Sequence, residues 1–138
     1  MINKVYTKAG DSGSTHIVGG KKLSKSDIRV KSFGEIDELN VAVGSCCILI
    51  ESLSANKDFA NLLKELNNIQ HELFNLGNMI ATPSENHTET MPSIQKQDVQ
   101  SIELKIDYYN AMLESLNSFV LPGGSELNIR FNRSRTIC

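Results

Sequence analysis

The sequence predicts an all-α protein, an up-and-down bundle of about four helices behind an irregular N-terminal arm. Apolar residues recur at gaps of three and four over residues 36–120, whereas the first 31 residues show no sustained period. With 138 residues, 40% of them hydrophobic, the chain has the size of one domain and can bury a core. We therefore expect a single domain over residues 1–138, with an arm at 1–31 and a bundle at 32–138.

The first two helices have clear apolar patterns. Ser32 and Glu35 have the spacing of a capping box, and apolar residues follow as far as Leu53, so the first helix is predicted to begin at Ser32. After a polar break at residues 54–57, the same rhythm returns from Phe59 to Ile80. This stretch predicts the second helix.

The third and fourth helices follow a surface loop predicted at residues 81–93. Apolar residues from Val99 to Val120 again alternate gaps of three and four, which predicts a third helix over that span. The sequence Leu-Pro-Gly-Gly at 121–124 should end it. Ser125 is then placed to cap a fourth helix that begins at Glu126.

The arm combines glycines with hydroxyl side chains and lysine, and has short β-like pieces at 2–7 and 15–18. Glycines allow tight turns, and hydroxyl, amide and ammonium groups donate to phosphate oxygens, so the arm suits a phosphate. It contains neither a Walker A loop nor a Rossmann fingerprint. Glycine and serine are also common in flexible N-terminal segments, so the residues alone leave both interpretations open.

Composition limits the classes of partner and the compartment. A net charge of -2 gives no sign of a surface for nucleic acid or for an anionic membrane. No run approaches the roughly 20 apolar residues of a membrane span, and the N-terminus lacks the apolar core of a signal peptide. Cys46, Cys47 and Cys138 have no metal-site spacing, which favours small buried hydrophobes in a reducing compartment. We expect a cytoplasmic protein.

Two polar stripes stand out on the predicted helices. Each stripe lies on one helix face and would face either the other stripe or a ligand. Asp37 could meet Arg135 across the bundle, although each could equally be a solvated helix residue. The stripes consist of Asp37, Asn40 and Gly44 on the first helix and of Asn128, Asn132 and Arg135 on the fourth.

Taken together, these segments resemble one family, the PduO-type ATP:cob(I)alamin adenosyltransferases, which make adenosylcobalamin. The matching segments occur in the family's order across the whole chain. They are Tyr6-Thr7-Lys8-Ala9-Gly10-Asp11-Ser12-Gly13, Gly19-Gly20, Ser24-Lys25 with Asp27 and Arg29-Val30, Phe33-Gly34 with Ile36-Asp37-Glu38-Leu39-Asn40, Ile69-Gln70 with Leu73-Phe74 and Leu76-Gly77, Phe119-Val120-Leu121-Pro122-Gly123-Gly124-Ser125, and Arg135-Thr136-Ile137-Cys138.

The resemblance implies a five-helix bundle that forms a homotrimer with active sites between subunits. It implies ATP with Mg2+ and cobalamin as reactants. The three histidines have no metal-ligand spacing, so we expect no metal site of the protein's own, and the charge predicts no nucleic-acid or membrane partner. ATP would be held by the arm of one subunit and the fourth-helix region of its neighbour. The resemblance assigns the triphosphate and its Mg2+ to Thr7, Lys8, Ala9, Gly10, Asp11, Gly13, Ser14, Thr15 and Lys25.

Further roles follow from the same resemblance. Asp37 and Arg135 match an ion pair between subunits, and Phe119 matches an aromatic residue that packs under the corrin and displaces its lower axial ligand. Phe33 and Leu121 would line the same cleft. Co(I) would then attack C5′ of ATP in line while the protein supplies position, electrostatics and a dry cavity.

The family continues beyond the position of Cys138 with an Arg-Arg-x-Glu-Arg segment and a fifth helix. We therefore expect the 138 residues to be part of a longer chain and to bind ATP weakly by themselves. A corrinoid reductase and a B12-dependent enzyme are possible partners. Two alternatives stay open: a non-catalytic corrinoid-binding or delivery module of the same fold, and a helical oligomerisation domain with a flexible arm.

Overall fold

The computed structural model describes residues 6–53 and 57–138, and it is mostly helical. No helix within these two ranges is both long and apolar enough to cross a bilayer. The four predicted helices are confirmed, and a two-stranded antiparallel sheet accompanies them. In chain order the elements are β1 (Ser14–His16), β2 (Lys22–Ser24), α1 (Ile28–Ser52), α2 (Lys57–Ala81), a 3-10 turn (Ser84–Asn86), α3 (Lys96–Asn110) and α4 (Glu126–Ile137).

The arm is more regular than predicted. The β-like piece at 15–18 contributes to a hairpin in which Thr15 pairs with Leu23. Of the piece at 2–7, residues 2–5 lie outside the described residues, as do residues 54–56 of the polar break, and residues 6 and 7 belong to no strand. The hairpin orders the part of the arm that follows the glycine-rich loop.

The predicted start of the first helix is wrong by four residues. Asp27 is the N-cap, because its Oδ1 accepts from the backbone N–H of Arg29 at 2.9 Å. Ser32 lies inside the helix and donates its hydroxyl to the carbonyl of Ile28 at 2.9 Å. A serine one turn into a helix can bond backward in this way, so its spacing to Glu35 did not mark a terminus.

The core forms where α1 packs antiparallel to α2 on one side and against α4 on another. Cys46 and Ile50 are fully buried at its centre, and Leu66 of α2 packs against them. On the α4 side, Cys46 Sγ lies 3.8 Å from the hydroxyl oxygen of Ser134. Cys46 and Cys47 are buried free thiols as predicted, but Cys138 is exposed, so it is not a core residue.

The third helix is shorter than predicted. It ends at Asn110, and the chain continues without helix to residue 125. Leu113 and Leu116, predicted on its apolar face, are 71% and 79% exposed. A helix end needs a packed apolar face to be stable, and these side chains have none in the described part of the chain. The α3 that does form lies antiparallel to α2, where Tyr109 donates to Glu65 Oε2 at 2.9 Å.

Candidate functional site

A groove lies between the N-terminal half of α1 and the C-terminal half of α2. Its volume is about 310 Å³, and its wall is mostly apolar with a few carboxylate and amide groups. Ligand sites commonly combine an apolar wall with a few polar groups in this way. Phe33 and Asp37, both predicted site residues, line it together with Ile36, Asn40, Leu73, Phe74, Gly77, Asn78 and Ala81.

Asn40, one of the residues that line this groove, is hydrogen-bonded to Gln70 of α2. Its Nδ2 donates to the carbonyl of Gln70 at 3.2 Å, and Gln70 Nε2 donates to the carbonyl of Asn40 at 3.1 Å. A Cβ on Gly44 would lie only 2.9 Å from Gln70 Nε2, so glycine permits this close approach. The α1 stripe of Asp37, Asn40 and Gly44 therefore faces α2 and the groove. The expectation that the two stripes face each other is wrong within one chain.

The predicted phosphate residues form one compact loop. Thr7 Oγ1 accepts from the N–H of Ala9 at 3.3 Å, and the N–H of Asp11 donates to the carbonyl of Lys8 at 3.3 Å. Lys8 has a φ of 59°, in the left-handed region, which costs a residue with a Cβ about 1 kcal/mol or more. Strain of this kind is concentrated at functional sites.

The hairpin holds this loop against Lys25. The N–H of Lys25 donates to the carbonyl of Gly13 at 2.9 Å, and Ser14 pairs with Ser24 in the sheet. A Cβ on Gly10 would lie 3.3 Å from both Cε and Nζ of Lys25. The nine predicted ATP residues are thus brought together: Thr7, Lys8, Ala9, Gly10, Asp11 and Gly13 on the loop, Ser14 and Thr15 on β1, and Lys25 directly after β2.

The hairpin is docked on the end of α2. The side chain of Ile17 is buried, and the backbone N–H of Val18 donates to the carbonyl of Ala81 at 3.2 Å. Ala81 is also a wall residue of the groove. The glycine-rich loop is therefore part of a unit that contacts the groove's end.

The remaining predicted residues lie apart from the groove. Phe119 is fully exposed and Leu121 is 88% exposed, both on the non-helical segment before α4. Arg135 is exposed on α4, and its Nη2 lies 3.5 Å from Asn132 Oδ1. Asp37, on α1, is also exposed.

The chain does not pair Asp37 with Arg135. Arg130 instead forms an ion pair with Glu126, at 2.5 Å within α4. The interpretation of Asp37 and Arg135 as an ion pair across one bundle is therefore wrong. A pair between two subunits stays a prediction.

The model of the family described as cobalamin adenosyltransferase matches residues 5–138, almost the whole chain. This chain belongs to the cobalamin adenosyltransferase family. The corrinoid adenosyltransferase of Bacillus subtilis is 40% identical over 134 residues, which are 97% of this chain and 66% of that protein. The corrinoid adenosyltransferase of Citrobacter freundii is 34% identical, over 97% of this chain and 72% of that protein.

Solved structures of the family have the same fold. A variant PduO-type ATP:corrinoid adenosyltransferase from Lactobacillus reuteri, complexed with cobalamin and ATP, superposes with a TM-score of 0.85 at 39% identity, covering 97% of this chain and 71% of that one. Another variant from the same organism, complexed with ATP, has a TM-score of 0.82 at 39% identity, over 96% of this chain and 71% of that one.

In this cobalamin adenosyltransferase family member, sequence reasoning missed part of the groove. Phe74 and Gly77 were quoted for the resemblance but given no role, and Asn78 was not singled out. Their signal was available, because residues three and four apart share one helix face and Leu73 was already assigned to the second helix. What the sequence did not reveal is that this face of α2 meets Phe33 and Asp37.

Proposed function

We propose that this protein transfers the 5′-deoxyadenosyl group of ATP to the cobalt of cob(I)alamin, giving adenosylcobalamin and triphosphate. The observation that carries the proposal is the docking of the hairpin on Ala81, a wall residue of an apolar groove, because this hairpin carries the glycine-rich loop and is followed by Lys25. Loop and groove supply the two sites that such a transfer needs. The names of the similar proteins, and the ligands in the solved relatives, support the same reaction.

The loop is suited to the leaving triphosphate. Among the described residues, the backbone N–H groups of Gly10 and Ser12 donate to no protein acceptor, so both are available to phosphate oxygens. Lys8 and Lys25 add two positive charges beside them. As the C5′–O bond breaks, its electron pair goes to the triphosphate, and donors fixed in advance stabilise that added charge.

Mg2+ would arrive bound to the ATP oxygens. Within the described ranges, no group of three or more His, Cys, Asp or Glu side chains is placed to hold a metal. Asp11, on the loop, is the carboxylate placed nearest in sequence to the phosphate-binding residues. We assign it to this Mg2+, directly or through water.

The groove would hold the corrin. Phe33 and Phe74 supply apolar area, while Asp37 and Asn78 are placed for the polar edge of the ligand. We assign Phe119 to the lower face of the corrin. Removal of the lower axial ligand leaves four-coordinate cobalt, which is easier to reduce, and the Co(I) electron pair then forms the bond to C5′.

We further propose a homotrimer in which a site is completed by two subunits. Asp37 and Arg135 are exposed and form no pair in one chain, so a neighbouring subunit can supply the missing partner. The cytoplasm is the proposed compartment, with a corrinoid reductase supplying Co(I) and a B12-dependent enzyme using the product.

Subunit complementation tests the shared site. Asp37→Asn and Arg135→Met should each lose most activity, because each leaves a charge without its partner. In trimers reassembled from an equal mixture, about one quarter of interfaces regain both native residues if the pair joins neighbouring subunits. No activity would return if both residues act within one chain.

The reaction itself is tested anaerobically. The full-length protein is mixed with chemically reduced cobalamin, ATP and Mg2+, and adenosylcobalamin and triphosphate should form in equal amounts. Tight cob(II)alamin binding without product would instead support the non-catalytic corrinoid module. A protein that binds neither ligand would support the plain oligomerisation domain.

A further inference from the structure

The end of α2 has an unusually complete set of hydrogen bonds. The last four carbonyls of a helix have no partner inside it, and here all four, at residues 78–81, accept a bond. Thr82 supplies two of these: its hydroxyl donates to Asn78 at 2.7 Å and its backbone N–H donates to Met79 at 3.3 Å. The other two bonds come from the N-terminal part of the chain.

Arg29 and Val18 make those two bonds. Arg29 Nη1 donates to the carbonyl of Ile80 at 2.6 Å and also lies 3.3 Å from the carbonyl of Thr82. The N–H of Val18 donates to Ala81, the residue between them. The guanidinium thus holds the chain on both sides of the hairpin's docking point. Positive charge is also favourable at a helix C-terminus.

This turn links the two halves of the proposed site. The hairpin carries the phosphate loop, and Ala81 lines the groove, so the turn sets where the loop lies relative to the groove. Thr82 is almost fully buried, at 2% exposure, and His87 Nε2 lies 3.0 Å from its carbonyl oxygen. The turn is therefore held from several directions.

We propose that Arg29 is a positioning residue that fixes the nucleotide loop against the corrinoid groove by clamping the last turn of α2. The inference rests on the proposed function for the identity of the two ligands. Arg29 itself touches no reactant. Without this contact of Arg29, the hairpin is docked in a smaller fraction of molecules. The apparent affinity for ATP then falls in proportion to the docked fraction.

The kinetic test compares Arg29→Met with the native protein. We expect the KM for ATP to rise at least fivefold, with kcat at saturating ATP within twofold, because ATP restores the docked arrangement. Arg29→Lys should recover part of the lost ATP affinity, because the lysine ammonium can also donate to a carbonyl. The recovery should be incomplete, because lysine lacks the planar guanidinium group. Tyr109→Phe is the matched control: it removes a hydrogen bond between α2 and α3, and should leave the KM for ATP unchanged.

A second measurement does not depend on catalysis. Amide hydrogen exchange at Val18 should be at least fivefold faster in Arg29→Met than in the native protein, and unchanged in Tyr109→Phe. A lower kcat with unchanged KM, or unchanged exchange at Val18, would overturn the inference. If the native protein makes no product, the proposed function fails, while the exchange at Val18 still decides whether Arg29 holds the hairpin.

Discussion

Replacing Gly10 by alanine is a sensitive test of the loop's geometry. The new methyl would lie 3.1 Å from the carbonyl oxygen of Ser14 and 3.3 Å from Cε and Nζ of Lys25. Relaxed contacts lie at about 3.5–4.0 Å, so the flexible end of Lys25 must move by about 0.5 Å. The backbone of Gly10 is not in the left-handed region, so the methyl acts through its contacts with Ser14 and Lys25 and not through backbone strain.

The displacement can be converted into an expected loss of ATP affinity. With an effective dielectric constant of about 20, the attraction between unit charges falls by about 0.8 kcal/mol when their separation grows from 3.0 to 3.5 Å. ATP binding is then weakened about fourfold if Lys25 faces one phosphate charge and about fifteenfold if it faces two. The free energy of unfolding should change by less than about 1 kcal/mol, because alanine also restricts the unfolded chain.

Calorimetric titration with MgATP and urea unfolding measure the two quantities. Gly20→Ala is the matched control: Gly20 has a φ of 81° and nothing within 4 Å of the added Cβ. It should lower stability by about 1 kcal/mol through strain and leave ATP affinity unchanged. The loss of ATP affinity caused by Gly10→Ala should also be smaller in a Lys25→Met background, because no ammonium is left for the methyl to displace. Native ATP affinity in Gly10→Ala, or an equal loss with and without Lys25, would refute the reasoning.

Three further predictions concern exposure and ionisation. Phe119→Ala should change the free energy of unfolding by less than about 0.5 kcal/mol, because Phe119 is fully exposed, yet weaken corrinoid binding by about tenfold or more, measured by absorbance titration. Burial, with the hydrogen bond to Glu65, raises the pKa of Tyr109 to about 12 from an ordinary value near 10. Between pH 10 and 12 the native protein therefore keeps the Tyr109 hydroxyl proton, whereas the unfolded chain loses it, so the free energy of unfolding should decline over this range. Urea unfolding of Tyr109→Phe should not show this decline. Burial also raises the pKa of Cys47, so iodoacetamide should label exposed Cys138 at least tenfold faster, as followed by mass spectrometry; equal rates would contradict the described burial.

The helices that form the core could be predicted from the sequence, because their apolar period reflects burial. Residues 59–80 were assigned to the second helix, and α2 spans Lys57–Ala81 with Leu66 buried. The N-terminus of α1 could not be predicted, because Asp27 and Ser32 are both residue types that cap helices. Only the backbone geometry shows that Asp27 is the N-cap. The β-like piece at 15–18 was predicted, but its pairing with β2 was not, because strands of three residues are too short for a period to be recognised.

The error at the third helix has a different physical origin. Apolar residues from Leu113 to Leu121 continue the spacing of α3, but in the described chain they are exposed and non-helical. The spacing of apolar residues indicates which side chains should be covered. It does not indicate whether a core, a ligand or another subunit covers them. The same segment carries Phe119, which we assign to the corrin. Under the proposed function, these apolar residues contact the corrin instead of a core, which explains why their spacing wrongly predicted a helix.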